Sequence, residues 1–238
     1  MMQKQVATQS QREIVQMREL GKQVYDNVLR EGMPKLPVEV LRTGADTTQS
    51  PNFKFLRVEE IKYSAKNPFT GGSVDETWMR VMKGFGVTVL PLIEYEGQKC
   101  PVLIFKPQPS VESWSIELVS GGVRGATTAV EAATIELQQE TGLKAEKITI
   151  IPQLEKIWHA PHRINTIDTM VIAENITFAG RTSDEKEEAP ISPFIATWKE
   201  VMAYLDNNVI KYGSSVATLT TYLLFHAPEE IMKEVRRG

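Results

Sequence analysis

The sequence predicts an α/β domain built on a mixed sheet, with one additional helix ahead of it. Three observations predict this. The chain has 238 residues, which lies between one and two domains of roughly 150 residues each. Apolar residues make up 42% and charged residues 24%, ordinary globular usage with enough apolar surface for a full core. The segments run β-rich, one helix, β, then helices, which is not a plain βαβ repeat. No internal repeat or low-complexity tract interrupts that order.

Composition narrows the function classes. Lys plus Arg number 27 and Asp plus Glu 30, a net charge of −3, so no global basic field invites nucleic acid. Cys100 is the only cysteine. It allows no internal disulfide and no Cys-rich zinc site, and it fits a reducing cytoplasm. The first 16 residues carry no apolar signal-peptide core. No run approaches the roughly 18 apolar residues of a membrane span. The expectation is a cytoplasmic chain with neither a nucleic-acid nor a membrane partner.

The elements follow in order. Residues 9–32 form an amphipathic helix, since Ile14, Met17, Val24 and Val28 keep near one face. Gly32 and Pro34 end it. Residues 33–52, with three prolines, read as a linker. Phe53–Tyr63 and Glu76–Lys83 read as a hairpin around the turn at 67–72. Val87–Glu94 and Pro101–Lys106 read as a second, well-buried hairpin turning at Glu96-Gly97. Trp114–Val119 is a short strand ending in Gly121-Gly122. Thr128–Glu140 is helical, rich in alanine and followed by Gly142. Strands at Lys147–Leu154 and Asp168–Ile176 follow, then a polar loop at 182–188. Helices at Trp198–Asn207 and Ser214–His226 close the domain, with a last turn or two at 228–236. The division expected is 1–52 for the helix and linker, and 53–238 for the domain, with 53–83 as a hairpin extension.

The chemistry concentrates in Gly121–Leu143, GGVRGATTAVEAATIELQQETGL. Glu136 and Glu140 lie four apart, so they share one helix face. Two carboxylates so placed can hold Mg²⁺ or Mn²⁺ while leaving positions for water and phosphate oxygens. The Gly-Gly ahead of them lets backbone approach closely, and the Ser120 carbonyl is a further candidate ligand. A solvated helix face is the commoner meaning of that spacing.

This stretch resembles the Nudix box, Gly-x5-Glu-x7-Arg-Glu-U-x-Glu-Glu-x-Gly-U, where U is apolar. Gly121, Glu136, Leu137, Glu140, Gly142 and Leu143 match. Thr127, Ile135 and Gln139 depart from it, standing where the pattern has Glu, Arg and Glu. The likeness extends over about residues 53–226, to the ADP-ribose and ADP-sugar pyrophosphatase type: Glu117–Gly121 resembles its Glu-Leu-Pro-Ala-Gly segment. The resemblance implies a Nudix α/β/α sandwich with a mixed sheet, an N-terminal β-hairpin extension and an additional N-terminal helix, assembled as a homodimer.

It also implies a divalent-metal-dependent pyrophosphohydrolase acting on a nucleotide-type substrate. Glu136 and Glu140 with the Ser120 carbonyl are then the metal ligands. One of Glu185, Glu187 and Glu188 in the acidic loop is the general base, against the commoner reading of a solvated loop. Lys106 and Arg163 are candidates to meet phosphate, and Trp114 to stack on a base. Gln139 removes a charge, Ile135 removes a guanidinium that orients box carboxylates, and Thr127 removes a third carboxylate. These losses leave a catalytically impaired nucleotide-binding or scaffold protein as the alternative. His159 and His162 read as loop residues, since no third ligand completes a zinc site. Cys100 has no catalytic companions, and no nucleophile elbow, P-loop or dinucleotide fingerprint is present.

Overall fold

The computed structural model describes residues 8–35, 57–66, 73–108, 111–123, 128–160, 164–182 and 190–237. Most of the expected linker, the 67–72 turn, Thr127 and the acidic loop at 183–188 lie outside them.

Helix α1 spans Gln9–Glu31. Thr8 and Gln11 form a reciprocal capping box at its start, and the Gly32 N–H closes it on Val28. Strands β1 (Arg57–Lys66) and β2 (Ser73–Tyr95) pair antiparallel. Strand β3 (Gln98–Gln108) returns across a turn in which Glu96 and Gly97 both have positive φ. Strands β4 (Ser113–Glu117) and β5 (Val119–Val123) lead to helix α2 (Ala129–Thr141). Strand β6 (Leu143–Ile150), a 3-10 turn at Pro152–Leu154, β7 (Ile157–Ala160), β8 (Ile164–Phe178) and β9 (Ser192–Ile195) follow. Helices α3 (Trp198–Asp206), α4 (Gly213–Phe225) and α5 (Glu229–Arg237) complete the chain.

Among the described residues the strands form one nine-stranded sheet with the path β4-β3-β2-β8-β6. The β2–β8 pair is parallel and the other pairs are antiparallel, so the sheet is mixed. Alternation along the strands feeds two apolar clusters. Val87, Val89, Val102, Ile104 and Val171 join Ala133 and Leu137 of α2. Leu90, Leu92, Leu103 and Met170 join Trp198, Tyr204, Leu219 and Tyr222 of the C-terminal helices.

Several elements differ from the sequence expectation. Strand β2 is continuous from Ser73 to Tyr95, where the sequence reads as two strands. Glycine weakens a strand but also permits close approach, and a Cβ on Gly86 would overlap the Asp168 carboxylate. Trp114–Val119 is two strands, because the chain leaves β3 after Glu117 and pairs with β2 from Val119. Strands β7 and β9 are short and were not anticipated.

Helix α1 docks on the body through specific contacts. Arg18 donates to Glu200 at 2.8 Å and to the Ile195 carbonyl at 3.3 Å, with both charged side chains buried. Gly21 lies against that same carbonyl with no room for a Cβ. Glu200 also accepts from the Thr197 N–H at 2.7 Å, so one carboxylate caps α3 and holds α1.

Candidate active site

The site arises where two strands part. Strands β2 and β3 pair only near their shared turn, at Leu92–Tyr95 and Gln98–Pro101. Beyond it β2 turns to β5 and β8, while β3 turns to β4 and β9. The parting opens a cleft of about 520 Å³. Its walls include Lys106, Gln108 and Glu117 from one group, and Gly86, Ser120, Gly121 and Asp168 from the other.

Helix α2 lies behind strand β5 and is defined by caps at both ends. Thr128 and Glu131 form a capping box, and Gly142 stops the helix in the left-handed region at φ 75°. Its buried face, Ala132, Ala133 and Leu137, packs on the sheet. That packing brings Glu136 to strand β5, where the carboxylate occupies the space a Cβ on Gly121 would fill. An alanine at the box glycine would displace the Glu136 carboxylate.

Glu140 lies one turn on and is 8% exposed. Its Oε1 accepts from Lys106 Nζ at 3.1 Å and its Oε2 from the Ser120 N–H at 3.1 Å. Lys106 is also 3.6 Å from Glu117 Oε1. Glu117 is buried and takes further hydrogen bonds from Gln108 at 2.7 Å and Ser115 at 2.9 Å. Burial pulls the Lys106 ammonium down, but Glu140 and Glu117 more than offset it and hold its pKa above the ordinary value. Burial raises the Glu140 carboxyl, and Lys106 and the Ser120 N–H counter this only in part.

A further part of the cleft wall is built by β8 and the start of α4. Asp168 lies beside Gly86 in the parallel register and is 5% exposed. Ser214 Oγ donates to its Oδ2 at 3.3 Å. Burial, then the Asp168 charge, raises the Tyr212 phenol pKa, and Tyr212 also lines the cleft.

The structure therefore brings together Ser120, Glu136, Glu140 and Lys106 of the residues singled out by sequence. Trp114 stacks on Phe105 with centroids 4.8 Å apart and is not among the residues lining the cleft. Arg163, Glu185, Glu187 and Glu188 lie outside the described residues. Glu117, Asp168, Thr166 and Tyr212 were missed. Their signal was faint: acids inside apolar strands, at Ile116-Glu117-Leu118 and Ile167-Asp168-Thr169-Met170, where burial demands partners.

No family model matches the chain, and no curated protein sequence does so significantly. Among solved structures it is similar to the crystal structure of an ADP compounds hydrolase, with a TM-score of 0.56 at 20% identity. The likeness covers 87% of this chain and 97% of that one. The fold is Nudix-like. Fold alone does not carry activity, so function is argued from the cleft.

The donors on the α2 wall suit a divalent ion in kind, because carboxylates and backbone carbonyls are the hard oxygens that Mg²⁺ and Mn²⁺ take. The Glu136 carboxylate lies against Gly121. Glu140 already carries the Lys106 ammonium, so an ion there has to share it. Among the described residues no cluster of three or more His, Cys, Asp or Glu is placed to hold a metal.

Proposed function

We propose that this protein is a Nudix-type hydrolase that cleaves the pyrophosphate of a nucleoside diphosphate linked to another moiety, of the ADP-ribose or nucleotide-sugar class. The observation that carries the reading is the Glu136 carboxylate seated on Gly121, which lines the cleft, with Glu140 one helix turn on and bonded to the cleft residue Lys106. The Nudix-like fold and the ADP compounds hydrolase among its structural neighbours support it.

In this reading Glu136, Glu140 and the Ser120 carbonyl hold Mg²⁺ or Mn²⁺. A divalent ion so bound supplies Lewis acidity and a water of lowered pKa. Lys106 pairs with phosphate oxygens, as does Arg163. Trp114, outside the cleft lining and stacked on Phe105, is left out of the base contact. One of Glu185, Glu187 and Glu188 takes the proton of the attacking water. Water adds to one phosphorus, the bridging P–O bond breaks, and two phosphomonoesters leave. A cytoplasmic homodimer belongs to the same proposal, on the family resemblance and the lone, buried Cys100.

A second reading has its own support. Both oxygens of Glu140 are engaged, by Lys106 and by the Ser120 N–H, which suits a nucleotide-binding relative that has lost its chemistry. Product chromatography separates the two readings. The protein is incubated with ADP-ribose, nucleotide sugars and dinucleotides, with Mg²⁺ and with Mn²⁺. Release of AMP or UMP that disappears in Glu136→Gln supports the hydrolase. Nucleotide binding without turnover supports the second reading.

A further inference from the structure

We propose that the β8–α4 wall of the cleft is a second subsite, which binds neighbouring hydroxyls of a phosphorylated sugar through Asp168 and Thr166. The inference rests on the nucleotide reading above and names the part of the substrate beyond the pyrophosphate.

The parallel register sets Gly84 beside Thr166 and Gly86 beside Asp168. A period of two puts Thr166 and Asp168 on one face of β8, and both line the cleft. Gly86 puts no side chain over that face, and a Cβ there would overlap the Asp168 carboxylate. Thr166 is 8% exposed, yet its hydroxyl meets no hydrogen-bond partner among the described residues. A buried hydroxyl left unpaired is costly unless a ligand answers it. Asp168, oriented by Ser214 Oγ, is an acceptor, and Thr166 can both donate and accept. That pair matches adjacent sugar hydroxyls, which also donate and accept. Lys106 and Lys211 line the same cleft and provide cations for the phosphate such a sugar carries.

Calorimetry without divalent ions tests this, using ADP, ADP-ribose, ribose 5-phosphate and phosphoethanolamine as probes. Wild type, Asp168→Asn and Thr166→Val are compared, each checked for a cooperative thermal transition. Wild type is expected to bind ADP-ribose at least about tenfold more tightly than ADP, because a site built for hydroxyls penalises their absence. Both variants lose that preference and keep ADP binding within about twofold. Equal affinity for ADP and ADP-ribose in wild type overturns the subsite and spares the nucleotide reading. Ribose 5-phosphate binding that depends on Asp168, with no ADP binding, spares the subsite and overturns the nucleotide reading. A preference for phosphoethanolamine over ribose 5-phosphate assigns Asp168 to an ammonium and overturns the sugar assignment. Binding of none of the probes overturns both.

Discussion

The two walls of the cleft handle burial of polar groups differently. On the α2 wall Glu140 and Glu117 share one cation, Lys106, and draw further hydrogen bonds from Ser120, Gln108 and Ser115. On the β8 wall Asp168 rests on Gly86 and accepts a hydrogen bond from the Ser214 hydroxyl, near the Tyr212 phenol. The first wall offsets charge with charge, which suits phosphate and divalent cations. The second sets the Asp168 carboxylate beside the Ser214 and Thr166 hydroxyls, which suits a hydroxyl-bearing group. The difference shows that two acidic patches in one cleft need not share a task.

Breaking the ammonium should have the largest effect on stability. Lys106→Met leaves two buried carboxylates without their cation, and removing one partner of a buried pair destabilises by roughly 3 kcal/mol or more. Urea denaturation measures it. Adding Glu140→Gln to that variant should recover part of the loss, because one stranded charge goes with it. A double variant no more stable than Lys106→Met would show that the two side chains do not couple.

The glycines come next. Gly121→Ala and Gly86→Ala each place a methyl into a carboxylate, Glu136 in one wall and Asp168 in the other. Overpacking against the buried Asp168 costs about 1–3 kcal/mol, whereas the Glu136 carboxylate, at the tip of a longer side chain, gives way for less and is displaced from its place. The Gly121 variant should also depress any metal-dependent turnover. A variant as stable and as active as wild type would remove the steric role assigned to that position.

Ser214→Ala should cost less, about 1 kcal/mol, because it deletes one long hydrogen bond to a charged acceptor. Thermal denaturation reads the loss, and the α2 wall should keep its response to Lys106→Met unchanged.

The smallest effect is a pH dependence. The folded pKa of Lys106 is raised above its ordinary value of 10.5. Its stabilising contribution is therefore complete below that value and is lost as pH rises through the folded one. The stability gap between wild type and Lys106→Met should narrow above about pH 10.5. A gap that widens with pH would mean that the pair does not favour the ammonium.

The same contrast explains what could be read in advance. Helix α2 was legible because its determinants are local: a capping Thr128, a helix-forming interior and Gly142 at the left-handed stop. Glu136 and Glu140 followed from four-residue spacing and from the box pattern. The β8 wall was not legible, because it depends on β2 pairing in parallel with a strand some eighty positions away. Residues 76–94 read as two strands when they form one, with Gly86 leaving room for Asp168. Glu117 was passed over because its partner Lys106 comes from β3, and only the β3–β4 register joins them. Trp114 was chosen for its ring alone, and its stacking on Phe105 depends on that same register.

The most direct measurement is mass spectrometry of products formed in heavy-oxygen water with Mg²⁺, from ADP-ribose and from nucleotide sugars. Wild type is expected to yield a nucleoside monophosphate and a sugar phosphate, with one heavy oxygen in one of the two. Glu136→Gln, folded to the same melting temperature, should yield on the order of 100-fold less. Intact substrate from folded wild-type protein, or undiminished product from Glu136→Gln, would contradict the account.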